Sequence, residues 1–121
     1  MGRLKEQFLT RIEDFCDRVL DMSEVLETNR RAARHVDQIA RSATSIGANA
    51  FEADEALSRK DFCKTLGISL KELNETRYWV RTASRRQWIK ASRVSSLLDE
   101  GRQLRAVIGA MIAKSKSATS S

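Results

Sequence analysis

Residues 4–26, LKEQFLTRIEDFCDRVLDMSEVL, decide the fold. Leu4, Phe8, Ile12, Phe15, Val19, Met22 and Leu26 recur at steps of four and three, the spacing that lines up side chains on one face of an α-helix. Asp14, Asp17, Asp21 and Glu24 fall off that seam and are expected in solvent. A helix with one apolar face needs partners to cover it, so the same periodicity is sought downstream.

It recurs three times. After a break at Glu27-Thr28-Asn29, which offers a short side-chain oxygen as a candidate N-cap, a second seam reads Val36, Ile39, Ala43, Ile46 and Ala50. Its side chains are small and Ala40, Gly47 and Ala48 lie nearby, so this helix can approach a neighbour closely. Ser58 followed by Asp61 forms a variant of the capping box and predicts the start of a third helix. Phe62, Leu66, Leu70, Leu73 and Val80 mark its buried face, and Gly67 lowers its propensity by about 1 kcal/mol relative to alanine. A loop is expected over residues 84–91, and Ser92 is the expected N-cap of a last helix with the seam Val94, Leu97, Gly101, Leu104, Ile108 and Met111. That helix is expected to fade at Lys114 into a small, polar tail.

The 121 residues contain no proline, only five glycines and 31% charged residues, which suits long helices and short connections. The prediction is all-α: an antiparallel up-down-up-down four-helix bundle as one domain over residues 1–113, with a flexible polar tail over 114–121. No stretch approaches the ~18 consecutive apolar residues of a membrane span, and the opening MGRLKEQF is charged from the start, so a cytoplasmic protein with no membrane partner is expected. Cys16 and Cys63 sit beside apolar residues in predicted helices, without metal-ligand spacing, and read as reduced buried thiols.

Catalysis lacks the residues it needs. Di-iron bundles require paired Glu-x-x-His motifs, whereas the single histidine, His35, has Ala32 three positions earlier. One histidine cannot specify a nucleophilic triad with either cysteine, and no Gly-rich phosphate loop is present. His35 reads as a surface residue near a helix start, and the expectation is a non-enzyme without cofactor or metal.

Charge is more informative. The net charge is +6, yet residues 1–60 hold ten Lys or Arg against eleven Asp or Glu, while residues 61–121 hold twelve against five. Arg77, Arg81 and Arg85 repeat every four residues as a cationic stripe, continued by Arg86, Lys90 and Arg93 with Trp88 among them. Such groups release counterions from a phosphate backbone, and an indole stacks on an unpaired base, so these seven are candidate nucleic-acid-binding residues. The alternative is a solvated helix face whose arginines pair with Glu72, Glu75 or carboxylates of the first helix, with Trp88 closing the bundle end. On the second helix Ser42, Ser45, Asn49 and Glu52 form a polar line beside the seam. They either satisfy groups inside the bundle, line a ligand pocket, or form an oligomer interface.

One segment resembles a family. In RSATSIGANAFEADEALSRKDFCKTLGISLKELNETRYWVR, residues 41–81, a RSxxSIxANxxE pattern covers Arg41 to Glu52, S-x-x-DF covers Ser58 to Phe62, and L-x-EL-x-ET covers Leu70 to Thr76. This resembles the bacterial bundle family named after proteins encoded in intervening sequences of 23S ribosomal RNA genes. The resemblance is strong over about a third of the chain and departs from the usual turn at Ala53-Asp54-Glu55-Ala56-Leu57. It implies an antiparallel four-helix bundle that assembles into a homopentamer. More distantly the chain is similar to the accessory protein of diversity-generating retroelements, which implies a basic pentamer joining a reverse transcriptase to nucleic acid. Five copies would carry five times +6, which favours avid binding to RNA or DNA. The expected function is therefore a basic homo-oligomeric bundle that binds nucleic acid as an accessory to a nucleic-acid enzyme; the alternative is a structural or protein-interaction scaffold.

Overall fold

The computed structural model describes residues 2–30 and 32–120. Met1 and Arg31, within the expected bundle, and Ser121, within the expected tail, lie outside the described residues. Four helices succeed one another: α1 (Glu6–Glu27), α2 (Ala33–Asp54), α3 (Arg59–Arg85) and α4 (Ala91–Ser120). They form an all-α four-helix bundle in which α2 packs on α1 and α3, and α3 on α4, while α1 and α4 close the bundle with the thinnest contact of these four pairs. No helix among the described residues is long and apolar enough to cross a membrane.

The first seam is buried along its whole length, from Leu4 to Leu26, with Ile12, Val19 and Leu26 fully enclosed. Ile39, Ala43, Ile46 and Ala50 of α2, Leu66, Leu73 and Val80 of α3, and Val94, Leu97, Leu104 and Ile108 of α4 complete one core. Val36, Leu70 and Met111 pack only partly against it. Cross-helix pairs rise along one element as they fall along the next. Arg11 meets Glu100 while Arg18 meets Ser96, and Ser42 meets Thr76 while the Ile46 carbonyl meets Ser69. The helices of these two pairs are therefore antiparallel.

Helix ends differ from expectation in instructive ways. Ser58 does cap α3, accepting from the Asp61 backbone N–H at 3.1 Å. Asn29 does not cap α2, whose cap position is Ala32 with no side-chain hydrogen bond. Ser92 lies inside the first turn of α4, which already begins at Ala91. Nor does α4 stop at Lys114: it runs helically to Ser120, because extending a formed helix through Ala, Lys and Ser is inexpensive even where, as over residues 114–118, the side chains stay largely exposed. The unusual turn after α2 has a use. Asp54 accepts from the Leu4 backbone N–H at 2.7 Å with its carboxylate and from the Arg3 N–H at 3.0 Å with its carbonyl, tying the chain start to the end of α2.

α3 ends in a motif that sets the direction of the α3–α4 loop. The Gln87 N–H donates to the Ser84 carbonyl and the Trp88 N–H to the Ala83 carbonyl, both at 3.0 Å, the paired bonds of a Schellman cap. Its left-handed position is Gln87, at φ 60°, where glycine is usual. Trp88 is thereby turned back against the bundle and packs partly on the core.

Candidate nucleic-acid interface

The seven candidate cationic and aromatic residues do not gather on one face. Arg77 and Arg81 lie along the flank between α3 and α4. Arg77 is half-buried because its stem crosses Gly101: a Cβ there would stand 3.2 Å from Arg77 Cγ and 3.2 Å from the Phe15 ring. Arg77 Nη1 donates to Asn74 Oδ1 at 3.4 Å, and its buried Nε has no partner among the described residues. Burial first, and then the charges of Arg105, Arg81 and Arg102, push the Arg77 pKa below the ordinary guanidinium value. The flank is thus a cluster of four arginines, two of them on α4. One carboxylate relieves it, since Asp99 accepts from Arg102 at 2.7 Å. That bond, then one from Gln103, lowers the Asp99 pKa.

Arg86 and Trp88 belong to a second place. With Arg30, Arg34, His35 and Thr82 they line an open cleft of about 500 Å³ where the α2 start meets the α3–α4 loop. His35 is not a free surface group. It is half-buried, its ring centroid 5.0 Å from that of Trp88 at 27° and 5.1 Å from that of Trp79 at 38°. Trp79 in turn donates from Nε1 to Glu75 at 3.2 Å. Arg93 belongs to a third place, a groove of about 200 Å³ between α1 and α4 that it shares with Arg18, Asp21 and Val25. Arg85 and Lys90 are exposed near the α3–α4 turn.

The carboxylates that could have neutralised the stripe are otherwise engaged. Glu72 and Glu75 both pair with Arg41 of α2, Glu72 at 3.0 Å, and Glu100 pairs with Arg11 at 2.8 Å. None of Arg77, Arg81, Arg85, Arg86, Lys90 and Arg93 forms an ion pair among the described residues.

The polar line on α2 divides as well. Ser42 cannot serve an oligomer interface: it is fully buried, donating to the Ile39 carbonyl at 3.2 Å and lying 2.8 Å from Thr76 Oγ1. Its hydroxyl is consumed between α2 and α3. Ser45 and Asn49 are half-buried and bonded to each other, with Asn49 Nδ2 2.9 Å from the Ser45 carbonyl, and Glu52 is exposed. Among the described residues no group of three His, Cys, Asp or Glu side chains could hold a metal ion.

With this geometry in place, comparison with known proteins decides the family. Residues 5–110 match the family model described as 23S rRNA-intervening sequence protein. The chain belongs to that family. A solved structure supports the assignment: a protein of unknown function from the S23 ribosomal protein family of Bacteroides thetaiotaomicron VPI-5482 is 32% identical. It aligns over 87% of this chain and 97% of its own length with a TM-score of 0.82. No curated protein matches the chain.

For this member of the 23S rRNA-intervening sequence protein family, the residues missed in the sequence are Arg102 and Arg105, and Arg30, Arg34 and His35. The first two repeat at a step of three on α4, but only the α3–α4 register puts them beside Arg77. The other three precede the apolar part of α2 and carry no motif.

Proposed function

We propose that this chain is a non-enzymatic, basic homo-oligomeric bundle, a pentamer, that binds RNA or DNA in the cytoplasm as an accessory to a nucleic-acid enzyme. The observation that carries the reading is the α3–α4 flank. Arg77, Arg81, Arg102 and Arg105 crowd together with one carboxylate among them, an arrangement that an external polyanion relieves by supplying the missing negative charge. The family's name, which ties its members to ribosomal RNA genes, favours RNA as the first ligand to try.

The test is salt dependence. Binding to an RNA should weaken steeply between ~50 and ~300 mM salt, and Arg81→Ala with Arg105→Ala should reduce the log–log slope by about 1 to 2 and the affinity with it. Absence of binding at the lowest salt would reject the reading. A second reading, a protein-interaction scaffold, is favoured by apolar side chains left in solvent: Phe51 on α2, Leu57 in the turn, and Ile68 and Tyr78 on α3 are exposed. Light scattering on the purified protein distinguishes a pentamer from a monomer, and a monomer that binds no RNA would leave only the scaffold.

A further inference from the structure

We infer that the cleft at the α2 start is a site for one unpaired nucleotide, its phosphate held by Arg30, Arg34 and Arg86 and its base stacked on Trp88, so that the protein prefers single strands to duplex. This rests on the nucleic-acid reading above and adds to it a second, chemically different surface. The α3–α4 flank is built on charge, with Arg81, Arg102 and Arg105 around Arg77, and the Phe15 ring beside it is buried, so it addresses a backbone of either form. The cleft joins both elements. Among the described residues, three guanidinium groups, the Thr82 hydroxyl and the stacked His35–Trp88 pair line a space of about 500 Å³, with no carboxylate beside them. A volume of that size is in the range of small-ligand pockets.

The parts are held in place before any ligand arrives. Trp88 is aimed by the Schellman cap on α3, and its ring leans on His35, which also meets Trp79, anchored through Glu75 to Arg41. A pre-positioned aromatic face loses little freedom on stacking. The N-terminal end of α2 adds to the field, since its cap position, Ala32, makes no side-chain hydrogen bond and no acidic residue occupies its first turn. A base within a duplex is stacked on both faces and has none to offer an indole, whereas a single strand exposes one.

The experiment compares a mixed-sequence single-stranded RNA with a blunt-ended RNA duplex of equal length in low salt. In the Trp79→Phe protein, where Trp88 is the remaining indole, the single strand should quench tryptophan emission and the duplex should not. Trp88→Ala should weaken single-strand binding about tenfold while duplex binding changes less than twofold. Arg34→Gln with Arg86→Gln, which touches exposed side chains, provides a variant whose fold is secure, and it should show the same selective loss. Equal losses on both RNAs, or tight binding with no quenching, would overturn the cleft while leaving the flank as a nucleic-acid surface. Failure of both RNAs to bind would remove the general reading and this one together.

Discussion

Cys16 shows how burial alone decides a side chain's chemistry. It is enclosed in the core, its thiol donates to the Ala43 carbonyl at 3.1 Å, and loss of water around the thiolate pushes its pKa up to about 11. Because the folded value lies above the unfolded one, this group's contribution to stability is complete below the ordinary thiol pKa of 9.0 and is lost as pH rises toward about 11. The expected result is a decline of about 2 kcal/mol in unfolding free energy over that window, read as the difference between the parent and Cys16→Ala so that other titrations cancel. A parent and variant with the same pH dependence would mean that the thiolate finds water in the folded protein. Alkylation of the native protein should modify the half-exposed Cys63 first and Cys16 only after unfolding.

Among the elements, the end of α3 holds the clearest local conflict. Gln87 occupies a left-handed position that disfavours a side chain by roughly 1–2 kcal/mol, yet the two cap bonds around it are formed. Gln87→Gly should therefore stabilise the protein by about 1 kcal/mol in denaturant titration, the relief of strain exceeding the added freedom of the unfolded chain. A loss of stability would show that the glutamine side chain makes a contact worth more than the strain. The same cap marks the limit of what the sequence discloses. The seams are legible because burial obeys a 3.6-residue period, and Ser58 with Asp61 is legible because that cap is made by side chains. The α3 end is not, because a backbone cap at a glutamine leaves no compositional trace. Ser42 misleads for a related reason: a helix position two-sided enough to carry serine is equally a buried donor or a surface contact until the partner, Thr76, is placed opposite it. The arginines of the flank are half legible, since one helix displays its own stripe but not the register of its neighbour.

At the scale of the molecule, stability and the proposed binding pull on the same charges. The chain carries +6, and where α1 meets α4 most thinly the seam is held by a two-pronged ion pair, Arg11 Nε and Nη2 each 2.8 Å from a Glu100 oxygen. On the α3–α4 flank no such compensation reaches Arg77, whose Nε is buried without a partner among the described residues and whose charge is opposed by three other arginines. Replacing it by a neutral side chain of similar reach and similar helix propensity removes both penalties. Arg77→Met should raise unfolding free energy by about 1 kcal/mol at low salt, and lower the slope of RNA binding against salt by about 1. Added salt should act on the parent in two opposite directions. Over a Debye length that falls from ~30 Å at 0.01 M to ~10 Å at 0.1 M, screening raises the melting temperature by quieting the flank and weakens RNA binding by competing for it. In Arg77→Met both responses should shrink together. A variant less stable than the parent at low salt would show that the guanidinium braces the α3–α4 seam, and the charge of this flank would then be a consequence of packing with no need of an anionic partner.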